Sequence, residues 1–131
     1  MKSIPSIRHA FSLVEVLAAI AIIGIITFLA LPNIVRVKED SERTLAIARA
    51  EALNMAIASY IQANGQAAAA ATWTSAGSPA ARYLLVAQHL AFAPATLDDY
   101  MPGGYTVTPP TSLAPPLQQS ALAGPHGGIS Y

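Results

Sequence analysis

Hydrophobic and polar positions divide the chain into three stretches. From Phe11 to Leu31 (FSLVEVLAAIAIIGIITFLAL), 21 residues run with Glu15 as their one charge. As a helix rising 1.5 Å per residue they would span about 31 Å, close to the roughly 30 Å of a bilayer's hydrocarbon core. Between Asn33 and Asn64 the pattern changes without stopping. Neither Gly nor Pro interrupts this stretch, and good helix formers such as Leu45, Ala48, Ala52, Met55 and Ala58 dominate it. Ala46, Ala50, Leu53, Ile57, Tyr60 and Ile61 recur at three- and four-residue steps, with Arg49, Glu51, Asn54 and Gln62 off that stripe. The pattern predicts one helix from Ser12 to Asn64, apolar all round in its first half and amphipathic in its second. Asn64-Gly65 stops it, because glycine tolerates the left-handed conformation that follows a last turn.

After Gly65 the chain turns to Ala, Pro, Gly, Ser and Thr. Ala67 to Ala71 extends or restarts a helix, and Trp73 to Pro79 (WTSAGSP) reads as a loop. Ala80 to Leu90 is a second helix, with Tyr83, Leu84, Ala87 and Leu90 on one face. Tyr105 to Thr108, entered through Gly103-Gly104 and ended by Pro109-Pro110, alternates aromatic and β-branched residues as a strand does. Gly128 to Tyr131 is a further short strand, and the Pro-rich segment before it an ordered loop or a tail. The domains expected are thus residues 1–10, a polar tail that the family resemblance below makes a leader; 11–64, the long helix, with 11–31 its membrane segment; and 65–131, a small head on which the amphipathic stripe packs.

Composition narrows the chemistry. The 131 residues carry seven basic and seven acidic side chains and no cysteine, which excludes disulfides and cysteine nucleophiles and leaves no net charge to draw the protein to nucleic acid. Eight of the fourteen charges lie between Arg36 and Glu51, and only Arg82, Asp98 and Asp99 follow. His9, His89 and His126 have no spaced metal partner and no Ser and Asp setting for hydrolysis. Tyr60, Trp73, Tyr83, Tyr100 and Tyr105 lack the interleaved Lys or Arg of a nucleic-acid stacking platform. Asp98-Asp99 is a weak calcium candidate, since one acidic pair does not fill six to eight oxygen positions.

The first ten residues, MKSIPSIRHA, carry Lys2 and Arg8 without an acid, and Pro5 discourages a helix interior. Basic residues ahead of the apolar run, against mixed charge behind it, place the N-terminus in the cytoplasm and the head outside. An ordinary secretory signal fits less well, because its apolar region is shorter and ends in a small-x-small cleavage site, whereas Pro32-Asn33-Ile34-Val35 follow here.

Glu15 is the residue that demands a partner, since an acid in a membrane segment is costly and normally paired. One reading is local: Ser12-x-x-Glu15 has the spacing of a capping box, placing the acid at the positive end of the helix dipole. The other requires a cation from elsewhere. Gly24 and Pro32 permit the helix between them to bend or unwind, because Pro32 cannot donate to the carbonyl of Phe28.

The stretch Ala10-Phe11-Ser12-Leu13-Val14-Glu15 resembles the class III prepilin signal of type IV pilins and type II secretion pseudopilins: a short basic leader, an aromatic residue, glutamate four residues on, and an apolar run. Ala10 stands where that family usually has glycine. The resemblance implies cleavage by a prepilin peptidase between Ala10 and Phe11, N-methylation of Phe11, and an assembly role for Glu15, paired with the Phe11 ammonium of a neighbouring subunit. It also implies melting near Gly24 and Pro32 in the filament, and as partners other pilin-like subunits, an inner-membrane platform and a cytoplasmic ATPase. The fold expected is α+β and pilin-like, with a short helix and a small antiparallel sheet in the head. No catalytic site and no cofactor are expected. Secretion and pilus subunits stay unseparated, the small cysteine-free head leaning toward the first. The alternative is a single-pass anchored binding module that does not polymerise.

Overall fold

The computed structural model describes residues 10–131; Lys2, Pro5, Arg8 and His9 of the expected leader lie outside the described residues. The chain divides into two compact units, residues 1–38 and 39–131, and the boundary falls inside the first helix. In the first unit, α1 (Leu13–Asn64) begins and runs unbroken through Gly24 and Pro32. Of the described residues in this unit none is buried, and Phe11, Phe28, Ile34 and Val37 are all largely exposed. Thr27 turns its hydroxyl back onto the carbonyl of Ile23 at 2.7 Å, which hides the one hydroxyl of the mid-segment from its apolar surroundings.

The second unit is a head built on the last half of α1. Ala46, Ala50, Leu53, Ile57 and Tyr60 are buried as the periodicity predicts, and Ala56 joins them. Gly65, at φ +83°, turns the chain out of α1 and straight into α2 (Gln66–Ala76), so one left-handed residue separates two helices. This corrects the loop expected from Trp73: the helix continues to Ala76, and Trp73 is fully buried with its indole N–H on the carbonyl of Pro110 at 2.8 Å. Burial of the largest side chain in the molecule overrides the turn-forming composition around it.

Ser78 caps α3 (Pro79–Val86), accepting from the N–H of Ala81 at 3.2 Å, with Pro79 at the first helical position. The helix expected over 80–90 is therefore shorter and continues only as a 3₁₀ turn, Ala87–His89. Its buried face also differs. Leu84 is 63% exposed, while Arg82, Tyr83 and Val86 are turned inward. A single-turn helix α4 (Leu97–Tyr100) follows, capped by Thr96.

Three antiparallel strands complete the head in the order β1 (Thr106–Thr108), β2 (Ala121–Gly124), β3 (Gly127–Ile129). The middle strand departs from the loop or tail that the sequence predicts there, for Ala-Leu-Ala-Gly pairs as a strand. It is held from both sides, with Val107 opposite Leu122 and Leu122 opposite Ile129. Tyr105 precedes β1, and its ring covers the bare backbone of Gly124; a Cβ there would lie 2.8 Å from the ring and 3.1 Å from Ile129. Val107 and Leu122 join Leu113, Met101, Tyr100 and the α1 stripe in one core. The fold is thus α+β and pilin-like.

Candidate assembly segment

Helix α1 opens at a reciprocal pair of hydrogen bonds. The backbone N–H of Ser12 donates to Oε2 of Glu15 at 2.8 Å, and the N–H of Glu15 donates to Oγ of Ser12 at 3.2 Å. Both bonds satisfy amides that have no acceptor within the helix, and the carboxylate sits at the positive dipole end. Glu15 thereby gains two stabilising influences from its own chain, yet none of them is a cation. Phe11, Glu15, Val16, Ala19 and Ile20 line an open apolar hollow of about 540 Å³ on this unit. Ala10 and Phe11, the residues flanking the expected cut, are both exposed and precede the helix. The segment from Leu13 onward is long and apolar enough to cross a membrane.

Gly24 has open space where a Cβ would go, so its lack of a side chain is not required by packing within the chain. Pro32 sits in a continuous helix and leaves the carbonyl of Phe28 without its usual donor. Neither residue interrupts the described helix.

The head's polar groups fasten it to α1. The guanidinium of Arg49 donates to the carbonyl of Tyr100, and the Tyr100 hydroxyl returns a bond to the carbonyl of Arg49 at 2.9 Å. Asn54 accepts from the N–H of Ser120 at 2.8 Å and donates to the Tyr131 hydroxyl at 3.1 Å, which itself donates to the carbonyl of Ser120. Arg49 and Asn54, set aside as off-stripe, are thus half-buried fasteners. Tyr83 donates to the carbonyl of Pro94 at 2.8 Å. Burial raises its pKa above 10.0, and the nearby Asp99 adds to the rise. Tyr100 is likewise raised by burial, against the opposing pull of Arg49, with Tyr83 adding to the rise.

The acidic pair is not gathered into a metal site. Asp99 closes a cap with Thr96, accepting from its hydroxyl at 2.7 Å and donating its N–H at 3.1 Å, while Asp98 is exposed beside it. Among the described residues no group of three or more His, Asp or Glu side chains is placed to hold a metal. His89 packs edge-on to Tyr60, and His126 is exposed at the β2–β3 turn.

Residues 6–31 match the family model described as the prokaryotic N-terminal methylation motif. Over those residues the chain carries the class III prepilin signal found in type IV pilins and pseudopilins. The signal runs directly into the first half of α1, which is long and apolar enough to cross a membrane. No curated protein and no solved structure matches the chain.

Proposed function

We propose that the protein is a filament subunit whose mature form begins at Phe11 and whose assembly is governed by Glu15. The observation that carries this reading is the first unit itself: an apolar helix with no buried residue, carrying one acid close to the expected new N-terminus. Hydrolysis of the Ala10–Phe11 amide leaves a carboxylate on Ala10 and an ammonium on Phe11, and methylation of that amine preserves its positive charge. In a stack of helices the ammonium of one subunit meets Glu15 of the next. In a water-poor core, losing one partner of such a pair costs about 3–5 kcal/mol, far more than the pair contributes. The stretch from Phe11 to Leu31 exchanges lipid for its neighbours as subunits leave the membrane, and Gly24 and Pro32 are where the helix loosens to fit them.

The cytoplasmic end carries Lys2 and Arg8, so the head lies outside the cytoplasm and the filament is periplasmic or extracellular. An inner-membrane platform and other pilin-like subunits are the partners, and the small cysteine-free head favours a type II secretion pseudopilus over a type IV pilus. N-terminal sequencing of the membrane-extracted protein tests the first step: the expected chain begins at Phe11, and one still beginning at Met1 removes the processing. Imaging of sheared surface material from cells overproducing the protein tests the second, with filaments containing the chain expected.

One observation favours a second reading, an anchored binding module that stays monomeric. The Ser12–Glu15 bonds satisfy the acid partly within its own chain. That reading predicts an intact leader and a monomer in detergent.

A further inference from the structure

Formal charge is scarce in the head, and two opposite charges line grooves at the two ends of one exposed apolar loop. After Glu51 only Arg82, Asp98 and Asp99 are charged. Arg82 is 8% exposed and turned against the ring and carbonyl of Trp73. The acidic pair on α4 is therefore the only exposed formal charge between Glu51 and Tyr131. Between Leu90 and Leu97 the loop displays Ala91, Phe92, Ala93 and Ala95, with Phe92 56% exposed. Phe92 is stacked on Tyr100, with ring centres 6.5 Å apart, and is still open to solvent over more than half its surface.

At one end of the loop an apolar groove of about 270 Å³, walled by Ala48, Ala52, Phe92 and Tyr100, contains Arg49. Its guanidinium lies 5.1 Å from the Phe92 ring centre and 5.7 Å from that of Tyr100, and its one hydrogen bond goes to a carbonyl. Two aromatic faces fix the plane of the fork, and among the described residues no carboxylate pairs with it. At the other end a groove of about 440 Å³, walled by Pro79, Tyr83, Leu84 and Ala95, has Asp98 at its rim. Asp99 is engaged by Thr96; Asp98 makes no hydrogen bond among the described residues.

A held, half-buried guanidinium with donors to spare recognises a carboxylate, and a lone exposed carboxylate beside an apolar wall fits that description. The two grooves share no lining residue, so a match between them joins two copies and is head-to-tail. A contact of that kind repeats without closing when its rotation does not close a ring, which is the symmetry of a filament. We propose that the Arg49 groove of one copy receives the Asp98 corner of a second copy, with Phe92 and Leu84 covered at the contact. This rests on the filament reading and specifies how the heads meet within it.

The test uses the full-length chain in cells, where the absence of native cysteine makes introduced thiols report cleanly. Ala52→Cys and Ala95→Cys place one thiol in each groove and leave both charges intact. Oxidation of the double variant is expected to give a ladder of multimers, whereas each single variant gives none beyond a dimer. Arg49→Glu and Asp98→Arg are each expected to cut the ladder and the sheared filaments about tenfold or more, and the combined charge swap to restore them. Filaments without a ladder, or a swap that restores nothing while the head remains protease-resistant, overturn the contact. A crosslink only to a protein of another mass also overturns it, because the occupant is then a different subunit. A ladder in cells that show no filaments keeps the contact and sinks the filament reading.

Discussion

Helix α1 passes through two environments, and its two halves show what each asks of a sequence. From Leu13 to Leu31 the apolar residues surround the helix, and none of them is buried by the chain. From Ala46 to Tyr60 they keep to a stripe, and nearly all of that stripe is buried by the head. The first half finds no cover within the chain; the second brings its own. A substitution in one half should therefore leave the other's property untouched, and each experiment below tests that separation.

The largest effect is expected from Glu15→Ala. The subunit should be cut and retained in the membrane, with the head's thermal unfolding unchanged, while sheared filaments disappear. Normal filaments from this variant would remove the assembly role of Glu15. Trp73→Ala should do the reverse, lowering head stability by about 3–5 kcal/mol through loss of a fully buried ring and its bond to Pro110. Membrane retention should persist, and denaturant unfolding in detergent checks both points. Gly124→Ala should cost about 1–3 kcal/mol, because the added methyl meets the Tyr105 ring and Ile129 and one of them must move. Tyr131→Phe should cost about 1–2 kcal/mol by leaving the Asn54 amide and the Ser120 carbonyl short of a partner.

The smallest effect concerns pH. Tyr83 and Tyr100 have folded-state pKa values above the 10.0 of an exposed tyrosine, mainly because burial disfavours the phenolate. Their contribution is fully present below pH 10.0 and is lost as pH rises through the folded values, since the unfolded chain then releases protons more readily. Head stability should stay level with respect to these groups near neutrality and fall in strong alkali. Tyrosinate absorbance and unfolding followed together measure it; alkaline unfolding unchanged in Tyr83→Phe would contradict the account.

The two halves of α1 were legible in the sequence for different reasons. Apolar length marks the first, and three-and-four periodicity marks the second, down to Ala46, Ala50, Leu53, Ile57 and Tyr60. The signal at Phe11 and Glu15 was legible as spacing, and the matched residues 6–31 contain it. The head was read less well. Trp73 to Ala76 looked like a loop because Ser, Thr and Gly surround one tryptophan, yet its burial fixes helix there. Strand β2 was missed because Ala-Leu-Ala-Gly has little strand propensity and forms through pairing with β1 and β3. Arg49 and Phe92 were also beyond reach, since nothing local places a cation in the second half of α1 against an aromatic more than forty positions later. Ser78 and Thr96 cap α3 and α4 in the structure, and the sequence reading used neither of them.

The hydrogen bond between Asn54 and Tyr131 joins residues 77 positions apart. A helix such as α1 can form within itself, but this junction must wait until the last strand has found its place. Closing so long a loop is entropically slow, and contacts of that span lengthen folding times. The head is thus the part of the molecule whose completion depends on long-range closure. The apolar helix needs no such closure, so its first half can be complete while the last strand, which carries this bond, is still unplaced.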